Sequence, residues 1–163
     1  MKTEINVLVN GILHKGAFEI AKAINAAADM TLLPNSVTDE TDKEFVVVND
    51  LRIKLWRQKQ RLRSITGEES VYPNVIFEYL PSEIAHAVNF CCLSRKPFVL
   101  VTNGIKINDL LDKVMSTDSF VLVSTPEEMT KENALKAIRF LHQKQLDRIS
   151  TGELFSMEDV LKG

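Results

Sequence analysis

From residue 4 to 10 the run EINVLVN is apolar and mostly β-branched, the pattern of a strand buried on both faces of a parallel sheet. Gly11 ends it. Residues 17–28 then place Phe18, Ile20, Ala21, Ile24 and Ala28 at helical spacing, and MTLL over 30–33 reads as the next strand. A polar stretch over 35–44 leads to FVVVND and LRIKLW, two short strand-like runs suited to a hairpin. The second half repeats the alternation. NVIFEYL over 74–80 reads as a strand, Pro81 and Ser82 open a helix to Leu93, and PFVLVTNG over 97–104 is a further strand. Ser82 is placed to cap free amides there. A helix through INDLLDKVM, a strand over 120–125, a long helix from about 126 to 145 and a short amphipathic tail follow.

Strands alternating with helices in this way predict an α/β fold, a Rossmann-like, doubly wound and mostly parallel sheet with helices on both faces. Residues 1–163 are expected to form a single domain, with 126–163 packing back onto the sheet and the turn from Gly11 to Gly16 at its carboxyl edge.

Charge narrows the partners. Lys and Arg number 20 against 22 Asp and Glu, a formal net charge of -2, which provides no field for gathering nucleic acid or anionic lipid. Lys54, Arg57, Lys59, Arg61 and Arg63 are locally basic and read first as a solvated face, second as a phosphate-binding patch. No run approaches the roughly 20 apolar residues of a membrane span, and the N-terminus shows no signal-peptide profile. The two cysteines, Cys91 and Cys92, are adjacent, a poor geometry for a disulfide and not the spacing of a zinc site. They read as reduced core thiols, and a cytoplasmic location follows.

In dinucleotide-binding folds the first strand ends in a glycine turn whose amides face a pyrophosphate at a helix N-terminus. Here the turn is VNGILHKGAF: Gly11 supplies the bend and Lys15 a cation, while His14 and Ala17 stand where glycine is usual. VNGILHKGAFEIAKAI, LLPNSV, NVIFEYLPSEIAHAVNFCCLSRKPFVLVTNG and the closing GELFSMEDVL together resemble the dihydrodipicolinate reductases, the nicotinamide-dependent reductases of lysine biosynthesis. The resemblance implies an NAD or NADP cofactor held by Gly11, Lys15 and Gly16 at its phosphates, Asn35 and Ser36 at a ribose, and Thr102, Asn103 and Gly104 near the nicotinamide.

The same resemblance implies a loss. Between FVLVSTP and EEMTKENALKAI, where the family carries its substrate and tetramerisation domain, this chain has nothing comparable, and the family's paired-histidine catalytic signature is absent. His14, His86 and His142 are isolated, and HQKQLDRISTG echoes that signature with the wrong spacing. No nucleophile elbow, phosphate loop or metal-ligand cluster occurs. Glu78 and the group Asp39, Glu40 and Asp42 read as solvated carboxylates. The expectation is therefore a nucleotide-fold binding or regulatory module, non-catalytic alone, with no catalytic residue and no metal. The alternatives are an oxidoreductase completed by a partner chain or a homo-oligomer neighbour, and a scaffold that no longer binds nucleotide.

Overall fold

The computed structural model describes residues 4–39, 41–60, 72–103, 112, 114, 119–147 and 153–162. Its frame is a six-stranded sheet in the order β2-β1-β6-β7-β8-β9, formed by β1 (Ile5–Asn10), β2 (Met30–Leu32), β6 (Val75–Tyr79), β7 (Phe98–Val101), β8 (Phe120–Ser124) and β9 (Glu153–Phe155). Every neighbouring pair in it is parallel. The sheet is thus the mostly parallel, Rossmann-type α/β arrangement that the alternating pattern predicts.

Side-chain alternation sorts the strands onto two apolar layers. Val7, Val9, Val75, Phe77, Val99 and Leu122 face α1 (Lys15–Ala26) and α3 (Lys131–Leu146), which bring Ile20, Ile24, Ile138 and Leu141 to that side. Leu8, Ile76, Phe98, Leu100 and Val121 face the opposite way, toward Val88, Phe90, Cys91 and Cys92 of α2 (Ile84–Ser94). Both cysteines are buried and neither is joined in a disulfide. Burying an aliphatic or aromatic side chain contributes about 1.5–3 kcal/mol, so these two layers dominate the stability of the domain. Leu135 and Phe140 of α3 and Val160 of α4 (Met157–Lys162) pack at the edge of the first layer, and Arg139 forks onto Asp29 with N–O distances of 2.8 and 2.9 Å.

The connection from β2 to β6 carries more structure than its polar sequence suggests. It folds into a second sheet, β3-β5-β4, from β3 (Asn35–Thr38), β4 (Phe45–Val48) and β5 (Leu51–Arg57). The β4–β5 hairpin expected from FVVVND and LRIKLW is antiparallel, turning at Asn49 with φ of 53°. β3, in a stretch expected to be polar loop, pairs with β5 in parallel. Val48 and Ile53 are fully buried against the first apolar layer, which is why this small sheet lies on the body of the domain.

Helix starts differ from expectation at three places, the long helix expected from about 126 beginning only at Lys131, where Thr130 caps it by accepting from the Asn133 amide. α1 starts at Lys15, two residues before the apolar spacing begins. α2 starts at Ile84, and Ser82, expected to cap it, donates its hydroxyl to Asp39 instead at 2.7 Å. Most of the expected INDLLDKVM helix, together with Arg61 and Arg63, lies outside the described residues.

Candidate functional site: a cleft where the strand order reverses

In a doubly wound sheet the chain leaves its first strand in one direction and later continues in the other, opening a crevice at the carboxyl ends of the two central strands. β1 and β6 are those strands here. Asn10 at the end of β1 is in register with Glu78 of β6, and both are only 1% exposed. The Asn10 Nδ2 donates to Glu78 Oε2 at 2.7 Å, its Oδ1 accepts from the Val37 amide at 2.8 Å, and the Cys91 thiol lies 3.7 Å from the same Glu78 oxygen. One buried amide therefore ties β1, β3 and β6 together.

The next residues complete that junction. The Gly11 amide donates to the Val37 carbonyl at 2.8 Å and the Ile12 amide to Ser36 Oγ at 3.3 Å, so β3 is stitched across the end of β1. Gly11 has a φ of +85°, and a Cβ there would strike the Tyr79 carbonyl, so the turn requires glycine for backbone reasons alone.

A cleft of about 120 Å³ opens beside this junction, walled by His14, Thr38, Asp39, Glu78, Tyr79 and Leu80 among others. Three features mark it. Thr38 Oγ1 is, among the described residues, a buried side-chain oxygen without a hydrogen-bond partner, an arrangement that costs about 1–3 kcal/mol when nothing offsets it. Leu80 holds a φ of 45° in the left-handed region, where a residue with a Cβ carries roughly 1–2 kcal/mol of strain, and its amide is fixed by the Val101 carbonyl at 2.8 Å. The Asp39–Ser82 hydrogen bond joins the end of β3 to the loop after β6 at the rim.

Tyr79 forms part of the wall and controls the start of α1. Its ring centroid lies 5.9 Å from that of His14, and its hydroxyl stands where a Cβ on Gly16 would be. Burial pushes the Tyr79 phenol above its ordinary 10.0.

The sequence-derived site residues are dispersed. Gly11 lines the cleft, while Lys15 is exposed at the start of α1. Asn35 accepts from Trp56 Nε1 at 2.8 Å and Ser36 is buried on the Ile12 amide, so both serve the small sheet. Thr102 is nearly buried with its amide on the Ser124 carbonyl at 2.9 Å, Asn103 is exposed, and Gly104 lies outside the described residues. Glu78, read from sequence as solvated, is buried. Its position within NVIFEYL, a strand apolar on both faces, was the available signal, because a carboxylate there must enter the interior. His142 of α3 is 8% exposed and belongs to the opposite core layer from Glu78, where burial lowers its imidazole from the ordinary 6.5. Among the described residues no three His, Cys, Asp or Glu side chains converge as metal ligands, and no helix is long and apolar enough to cross a membrane.

No family model matches the chain, and no curated protein matches it. Among solved structures it is similar to the crystal structure of SurE protein from Aquifex aeolicus, at 10% identity and a TM-score of 0.43 over 87% of this chain. The chain spans 60% of the length of that structure. The resemblance to dihydrodipicolinate reductase is overturned, since no model of that or any other family matches the chain. The physical reason is visible at the motif that suggested it. VNG followed by a helix satisfies a backbone approach of Gly11 to Tyr79, which any strand crossing this junction would demand, and so carries no information about a reductase.

Proposed function

We propose that this protein is a ligand-binding module, non-catalytic alone, whose site is the cleft between the ends of β1, β3 and β6. The observation that carries this reading is Thr38, which lines the cleft and whose buried hydroxyl has no partner among the described residues, a group that a ligand entering the cleft would satisfy. The strained Leu80 backbone at the same place supports it, since strain of this kind persists where a function uses the geometry. The volume limits the occupant. A cavity of roughly 150 Å³ admits a benzene-sized ring, so a cleft of about 120 Å³ takes one ring and not a whole dinucleotide. A nicotinamide dinucleotide, NAD or NADP, would place a single ring there and leave its pyrophosphate outside. Two buried thiols outside any disulfide suit a reducing compartment, and we assign the protein to the cytoplasm.

Titration of the purified protein with NADH, NADPH, nicotinamide and adenosine, followed by calorimetry and by amide chemical shifts, tests the reading. Shifts centred on Gly11, Thr38 and Leu80, weakened in a Thr38→Val variant, are expected. Binding that leaves these amides unmoved, or no binding by any of the four, overturns it.

A further inference from the structure

The two edges of the small sheet differ. β3 is stitched to the end of β1 through the Gly11 amide and the Asn10 side chain, whereas β4 is an outer strand that pairs, among the described residues, with β5 alone. Its register shows which groups it turns outward. The Leu55 amide donates to the Glu44 carbonyl at 2.9 Å, so in this antiparallel ladder Glu44, Val46 and Val48 aim their backbone groups at β5, and Phe45 and Val47 aim theirs at the open edge. Their side chains are open too. Phe45 is 41% exposed and Val47 50%, on the face turned away from Val48 and Ile53 in the core, and the Arg52 guanidinium lies 3.7 Å over the Phe45 ring. An edge of this kind is a template for another strand, and FVVV has no charge, no proline and no break in register to blunt it.

We propose that β4 pairs with β4 of a second copy, antiparallel about a two-fold axis at Val46, and joins the two small sheets into one in a weak, reversible homodimer. A two-fold axis that sets a strand antiparallel beside its own copy stands perpendicular to the sheet, so both outward faces stay on one side. The strand is self-complementary about Val46. Phe45 then lies opposite Val47 of the second copy and Val47 opposite Phe45, while Val46, partly buried at the margin of the first apolar layer, meets its own copy on the inner side. Phe45 and Val47 also exchange their free amides and carbonyls. An axis at Val47 is the neighbouring alternative in the same backbone phase, but it sets Phe45 against Asn49 and, just beyond the strand, Glu44 against Asp50. Like charges directly opposite are unfavourable. With the axis at Val46 the residues just beyond the strand are Lys43 and Asn49, which do not repel. A contact of one short strand falls below the roughly 1,000 Å² of a stable interface, so the dimer depends on concentration.

Sedimentation of the full chain over a concentration series, with amide hydrogen exchange measured at each step, tests the proposal. A dimer that grows with concentration and slows exchange at Phe45 and Val47 in step is expected. Val47→Lys, a change at an exposed edge position, is expected to abolish it, and Leu93→Lys, at an exposed position on α2, to leave it intact. The axis has its own readout. Opposite residues at a non-hydrogen-bonded antiparallel position stand about 4.5 Å apart at Cα, within disulfide reach, so Val46→Cys is expected to cross-link two copies under mild oxidation more readily than Val47→Cys. Cross-linking through Val47→Cys instead overturns the axis at Val46. A chain that stays monomeric throughout overturns the dimer and leaves the edge to a strand of another protein. A dimer that survives Val47→Lys, with the Phe45 and Val47 amides exchanging as fast as in the monomer, overturns the assignment to β4.

Discussion

Asn10 and Glu78 face each other across neighbouring parallel strands with both side chains buried, joined by a hydrogen bond of 2.7 Å. The amide that makes this bond also accepts from Val37, so a single side chain holds the small sheet against the large one at the edge of the cleft.

Replacing Asn10 by leucine keeps the volume and removes both hydrogen bonds. It strands the Val37 amide and one Glu78 oxygen contact, and buried groups left in this state cost about 1–3 kcal/mol each. A drop of about 2 kcal/mol or more in urea unfolding is expected, with partial recovery when Glu78 is changed to methionine in the same chain, since one of the stranded partners is then gone. Loss of less than about 0.5 kcal/mol, the range of an ordinary surface change, would show that the junction is dispensable.

Gly11→Ala combines a positive φ with a collision against the Tyr79 carbonyl. The conformation alone costs about 1–2 kcal/mol, and backbone cannot retreat as a side chain can. At Gly16 the obstacle is the end of the Tyr79 side chain, so Gly16→Ala should be rescued in part by Tyr79→Phe, which removes the nearest atom, whereas Gly11→Ala should not. Equal response of the two glycines to Tyr79→Phe, measured by thermal unfolding, would contradict the assignment.

Thr38→Val removes a buried oxygen that has no partner among the described residues and replaces it with a methyl group of similar size. The free protein is expected to gain stability, by up to about 1–2 kcal/mol, because the penalty of an unsatisfied group disappears. The same variant is expected to lose ligand affinity. Such opposite signs in unfolding and titration distinguish a functional threonine from a structural one, for which both would fall.

His142 links stability to pH. Burial holds its imidazole below the ordinary 6.5 in the folded chain, so the unfolded chain binds the proton more readily. Above 6.5 both states are neutral and the residue contributes nothing to the slope. As pH falls below 6.5, toward and through the lowered folded value, the unfolded state is favoured and stability declines. Denaturant midpoints measured from pH 7.5 downward are expected to fall less steeply in His142→Gln than in the parent chain. Parallel profiles would refute the linkage.

The alternation of apolar runs such as INVLVN, VIFEY and FVLV with amphipathic helices determined the parallel sheet, because a strand buried on both faces has to be apolar throughout and needs helices to cover it. The β4–β5 hairpin was equally legible, from β-branched runs flanking a short Asn-Asp turn. β3 was not. NSVT has no strand pattern of its own and exists because Asn10, Gly11 and Ile12, which precede it by more than twenty residues, supply its edge with partners. The site was hidden for the same reason. Gly11 and Gly16 carry a familiar spacing, yet what each needs is set by Tyr79, a residue more than sixty positions away whose contact with them exists only once β1 and β6 lie side by side. Thr38 and Leu80 likewise have no local signature, and Glu78 has only the apolar run around it. Burial, lost hydrogen-bonding partners and a left-handed backbone are properties of the assembled junction, and only the tertiary structure brings those three residues to one cleft.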